Sequence, residues 1–152
     1  MLNQLLNAAP GEDARIVGAL MTEWSKSGSA AVDLLFTRGQ SALDAQQYRL
    51  AAEHFTAAID YAPDFAESYH ARATAYYRQG LVGPALGDLS RTLQLNANHF
   101  GAMQGLAVIL QEIGKDDDAL AVFQAALAIH PSNGDITAAI ERLLAAQIGQ
   151  AL

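Results

Sequence analysis

Four histidines, His54, His70, His99 and His130, are the side chains of this sequence best suited to acid–base work or metal ligation. No two of them stand three or four residues apart, the spacing that would set two imidazoles on one face of a helix. A His-Glu-x-x-His pattern, a Gly-x-Ser-x-Gly elbow and a glycine-rich phosphate loop are all missing. So is cysteine, which removes thiolate nucleophiles, disulfides and cysteine-based metal sites together. Asp116, Asp117 and Asp118 lack the later ligands and the glycine of a calcium loop, and three acids opening a helix favour its dipole instead. No catalytic residue, no metal and no cofactor is expected. His99 and His130 fall at helix boundaries, where local hydrogen bonding is the expected role. Trp24, with apolar neighbours one and two turns back, is expected in a core.

Composition narrows the partners. The 152 residues, half of them apolar, have room for one domain with a real core. Sixteen acids against nine bases give a net charge of −7. The bases are scattered, so phosphates would meet repulsion and no neutralising run; neither a nucleic acid nor an anionic membrane is an expected partner. No apolar stretch approaches the ~20 residues of a membrane helix, and the Met1-Leu2-Asn3-Gln4 start has no secretory signature. A soluble chain is expected, periplasmic if an export signal has been removed ahead of residue 1 and cytoplasmic otherwise.

The elements that would position any site announce themselves as a repeat with a period of 34. Ala51, Ala85 and Ala119 keep that spacing; each is followed four residues later by a large apolar residue, Phe55, Leu89 or Phe123. Ala58, Thr92 and Ala126 come three further on, and the register closes on Pro63, Ala97 and Pro131. Upstream it holds small residues at Gly39, Ala73 and Ala107, with turn glycines Gly80 and Gly114 in the last two units. Within each unit a first helix ends at the turn, a second carries Ala-x-x-x-large on one face, and proline stops it. First helices are predicted near 31–45, 66–79 and 100–113, second helices near 48–62, 82–95 and 116–129. Helices are also predicted near 2–8, 12–26 and 132–146, the last an amphipathic cap bearing Ile136, Ile140, Leu143 and Leu144.

These residues resemble the tetratricopeptide repeat family, whose pattern of large, small, Tyr, then Ala-x-x-x-Phe and a closing Pro is met over residues 32–133. Arg38 and Arg72 stand where leucine is usual, and Ala97 replaces a proline. The whole chain is also similar to small bacterial tetratricopeptide proteins of an exported type. The resemblance implies an all-α, right-handed α-solenoid of antiparallel helix pairs. An amino-terminal helix pair over 1–30 would pack on three repeats at 32–65, 66–99 and 100–133, within 31–133, and residues 134–152 would form a capping helix and tail.

In that family the first helices line a concave groove. The register implies a groove built from Phe36, Gln40, His70, Thr74, Tyr77, Arg78, Gly101, Gln104, Gly105 and Val108, flanked by the acids Asp33, Asp44, Glu67 and Glu112. Some relatives clamp the carboxylate end of a chaperone tail with Lys, Arg and Asn. Phe36, Gln40, Ala71, Gly101 and Gly105 occupy the matching positions here and cannot hold a carboxylate by charge. The resemblance therefore implies a non-catalytic adaptor for another protein or peptide, neutral or basic rather than acidic. A homodimerisation module is the alternative, and an RNA-binding helical repeat a remote one. Gly101 and Gly105, one turn apart, suggest close approach of another backbone: a peptide, a second subunit, or the chain's own amino-terminal helix.

Overall fold

A computed structural model describes residues 1–151; Leu152, the end of the expected tail, lies outside the described residues. Among the described residues are nine helices and no strand: α1 (Leu2–Leu6), α2 (Asp13–Trp24), α3 (Ala30–Asp44), α4 (Tyr48–Tyr61), α5 (Ala66–Arg78), α6 (Val82–Leu95), α7 (Phe100–Glu112), α8 (Asp116–Ile129) and α9 (Gly134–Ala151). None of them is long and apolar enough to cross a membrane. The chain forms two compact units, Met21–Ala97 and a discontinuous one of Met1–Leu20 with Asn98–Leu152.

The Met21–Ala97 unit holds the first two repeats, with α3 against α4, α4 against α5 and α5 against α6. Its core joins Val32, Phe36 and Ala42 of α3 to Ala51, Ala52, Phe55 and Ala58 of α4, and to Phe65, Ala71 and Ala75. Small-against-large spacing does the interlocking. Gly39 faces the ring of Phe55, where a Cβ would lie 2.7 Å from Cδ1 and 2.8 Å from Cζ. Phe36 stacks tilted on Phe55 and edge-on to Phe65, at centroid separations of 5.6 and 5.4 Å. Ala51 and Ala85, the alanines of the period, are fully buried.

The second unit holds the third repeat, α7 against α8, with α9 laid on α8 and α1 touching α8. Ala119, Phe123 and Ala126 are buried on the α8 face that the period predicts, and Ile136, Ala139 and Leu143 are buried on α9. His99 caps α7, its Nδ1 accepting the Ala102 N–H at 3.0 Å. Asn133 does the same for α9, its Oδ1 accepting the Ile136 N–H at 3.1 Å.

The turns between paired helices share one backbone device. Gly80 and Gly114 have φ of 77° and 81°, and Gln46, 34 residues before Gly80, adopts φ 60° without the freedom of a glycine. Helix ends outside the repeats differ from the sequence reading: α2 covers Asp13–Trp24 rather than 12–26, and α9 begins at Gly134 rather than Ser132. The first helix stops at Leu6 rather than Ala8, the chain leaving helical geometry at Asn7 with φ −109° and ψ 13°. The last runs to Ala151 rather than Ala146; no proline interrupts it, and Gln147 Nε2 donates to Asp117 Oδ1 of α8 at 2.8 Å.

Candidate functional site

The first helices α3, α5 and α7 carry all ten groove residues that the register implies, and the structure gives them unequal standing. On α3, Phe36 is a core residue only 5% exposed, so its ring serves as floor rather than as an open contact. Its position explains this: Val32 and Phe36 are one turn apart on the stripe that packs against α4. Gln40 is half-buried. A cleft of ≈ 510 Å³ lies over Asp33, Phe36, Thr37 and Gln40, walled by Met21, Thr22, Ser25 and Lys26. Asp33 is already committed there, accepting the Ser27 N–H at 2.8 Å and the Ser27 hydroxyl at 2.6 Å. Those two hydrogen bonds hold its carboxyl below the ordinary value of 3.8.

On α5 the expected picture of acids facing an open groove needs correction. Glu67 is 3% exposed, and its Oε1 lies 3.0 Å from Nδ1 of half-buried His70, one turn on. A carboxylate sunk in this way does not present charge to a visiting ligand. Thr74 is exposed, its hydroxyl donating to the His70 carbonyl at 3.3 Å, and Tyr77 is half-buried. Arg78 reaches back to the first repeat: Nε and Nη2 donate to the Tyr48 hydroxyl at 3.2 and 2.9 Å, with the guanidinium 5.3 Å from the ring centroid.

On α7, Gly101, Gln104 and Gly105 are half-buried and Val108 is exposed. Gln104, Val108 and Gln111 form one wall of a ≈ 280 Å³ cleft floored by Phe123 of α8. The opposite wall is Asp135, Ala138, Ala139 and Arg142 of α9. The sequence reading did not find that wall, although its own register contained it. One further step of 34 takes Gly101 to Asp135, Gln104 to Ala138, Gly105 to Ala139 and Val108 to Arg142, so α9 stands as the first helix of a fourth unit. The cleft offers two amides able to pair with a peptide backbone, an apolar strip, and one charge of each sign.

Comparison with known proteins agrees with this architecture. The tetratricopeptide repeat family pattern matches residues 36–88 and 70–134. A TPR repeat-containing protein of Rhizobium etli is 32% identical over 124 residues, which is 82% of this chain and 61% of that protein. DnaJ homolog subfamily C member 3 of Gallus gallus is 33% identical over 107 residues, 70% of this chain and 21% of that protein. The chain thus spans less than two thirds of the length of these curated relatives. Among solved structures, the first TPR of Spaghetti (RPAP3) bound to the HSP90 peptide SRMEEVD superposes with a TM-score of 0.75 at 20% identity, covering 81% of this chain and 96% of that one. The likeness places the fold in the all-α helical-repeat solenoid class.

Proposed function

This chain belongs to the tetratricopeptide repeat family, and from that premise we propose that it is a non-catalytic adaptor that binds a peptide or protein segment on the exposed faces of its first helices. The observation that supports it is the α7–α9 cleft, where amide groups of Gln104 and Gln111 border an apolar strip of Val108, Phe123 and Ala138. Such a surface satisfies an extended or helical segment by backbone pairing and side-chain burial, and holds no group positioned for bond-making.

The partner preferred by this reading is neutral or basic. The Spaghetti (RPAP3) domain is bound to a peptide ending Glu-Glu-Val-Asp. In this chain the α7–α9 cleft is lined by one acid, Asp135, and one base, Arg142, and so carries no net charge, and the protein as a whole stands at −7. Selection of a displayed linear-peptide library on the wild-type chain should yield binders with few acids. Val108→Arg, which crowds the cleft with a charged chain, should abolish their binding while leaving helix content unchanged. Selected peptides dominated by Glu and Asp, or binding indifferent to Val108→Arg, would sink the reading.

A further inference from the structure

The amino-terminal segment reaches its place from far along the chain. Met1–Leu20 forms one unit with Asn98–Leu152, and α1 lies against α8. Three of its aliphatic side chains are buried: Leu5, Ile16 and Leu20 are 1%, 5% and 3% exposed. One polar latch joins them. Asp13 Oδ2, at the start of α2, accepts the Ser132 hydroxyl at 2.9 Å and lies 3.2 Å from His130 Nε2.

The rest of the segment has little to hold it. α1 is five residues long, far short of a helix that persists by itself. The link to α2 passes through Pro10 and Gly11, the latter at φ 90°, and Ala9, Pro10, Gly11 and Glu12 are all exposed. On α2 itself Ala14, Arg15, Gly18 and Ala19 are exposed, so a single narrow stripe is buried. Ile16 and Leu20, four residues apart, share one face of α2, the spacing with which an amphipathic helix lays apolar anchors into a groove, and Asp13 stands on the turn before them.

We propose that residues 1–20 are a displaceable strap, and that the surface beneath it on the third-repeat unit is a second docking site. Its ligand is an amphipathic helix of a partner protein with the order seen in Asp13, Ile16 and Leu20: a carboxylate, then aliphatic residues at the third and seventh following positions. The partner's carboxylate takes over the hydrogen bonds of Ser132 and His130, and its aliphatic residues take the places of Ile16 and Leu20. The strap lowers apparent affinity by the fraction of time that it is closed, which makes the adaptor selective for ligands that reproduce the whole pattern. The proposal rests on the adaptor reading but uses a different surface from the α7–α9 cleft.

The test uses the full chain and, as probe, a fluorescein-labelled peptide with the sequence of residues 1–24, followed by fluorescence anisotropy. Wild type should bind it weakly. Asp13→Ala, which opens the latch, should bind it about tenfold more tightly, because the competent fraction rises by that factor. Ile16→Asp with Leu20→Asp in the protein should tighten it further, and a probe carrying those same two changes should not bind. Amide exchange in the wild type should be faster for α2 than for α8. Folded variants that bind the probe no better than wild type would overturn the proposal. So would α2 amides protected as long as those of α8, a readout that decides the matter even where the double variant does not fold. Loss of library binding in Val108→Arg concerns the cleft alone, so the two ideas fail separately.

Discussion

Arg72 stands where the repeat pattern favours leucine, and the residues around it show what replaces the lost apolar contact. Its Nε and Nη2 donate to the two carboxylate oxygens of Asp88, each at 2.8 Å, and Nη1 donates to the Thr56 hydroxyl at 3.0 Å. Tyr69 and Tyr76 flank the guanidinium at 5.8 and 5.5 Å from their centroids. The hydrogen bonds that Arg72 donates to Asp88 raise its pKa above the ordinary value, against the opposing effect of burial. With both side chains mostly buried, Asp88→Ala strands a cation and should cost about 2–3 kcal/mol in urea unfolding, whereas Arg72→Leu with Asp88→Leu should be close to neutral. Equal losses in the single and double variants would show that packing, not the ion pair, governs the site. Asp33 gives a pH-dependent counterpart. Its folded pKa is lowered, so the stability it contributes is complete above 3.8 and is lost as pH falls through the lowered value. The urea midpoint of wild type should therefore exceed that of Asp33→Asn at neutral pH, and the gap should close only below about pH 4. A gap that persists at lower pH would mean that charge at Asp33 is not its cause.

At the level of the helix, most of the fold was legible because each boundary is set by local chemistry. Second helices stop at Pro63 and Pro131, first helices stop at left-handed turns, and the starts of α5, α6, α7 and α8 fall on the residues that the period indicates. Burial and helix length were less legible than register: α9 runs on along α8 past its expected end, Phe36 belongs to the core, and Glu67 is sunk beside His70. Three substitutions probe the same level. Gln46 repeats the left-handed turn of Gly80 and Gly114 with a side chain attached, so Gln46→Gly should stabilise the protein by about 1 kcal/mol. Two glycines on helices should respond in opposite directions. Gly39→Ala puts a methyl into the ring of buried Phe55 and should cost about 1–3 kcal/mol by overpacking. Gly87→Ala, with nothing within 4 Å of the new Cβ, should gain about 0.5–1 kcal/mol from helix propensity alone. Thermal unfolding of the three variants reads the signs directly, and a stable Gly39→Ala would refute the close approach of α3 to α4.

For the molecule as a whole, the consequential fact is that one compact unit is continuous in sequence and the other is not. Met21–Ala97 is built from successive helices that pack on their chain neighbours, the arrangement in which repeat stability is a sum of local terms. The third-repeat unit gathers Met1–Leu20 from the opposite end of the chain, and its polar latch pairs residues 117 and 119 positions apart. Such long-range contacts carry the full loop-closure entropy and return only what Leu5, Ile16, Leu20 and Asp13 gain on docking. The repeat pattern could not reveal them, because the amino-terminal segment lies outside the period and no spacing rule links Asp13 to His130. Removing residues 1–20 should therefore act on one unit only. In hydrogen exchange by mass spectrometry, amides of α8 and of the start of α9, next to Ser132, should lose protection in the truncated chain. Those of α4, α5 and α6 should keep theirs, since the helices that they pack against are all present. Uniform loss across both units would show that the amino-terminal segment supports the entire chain and that the two units are not energetically separate. Unchanged protection in α8 and α9 would show instead that docking of Leu5, Ile16 and Leu20 contributes nothing measurable to the unit they join.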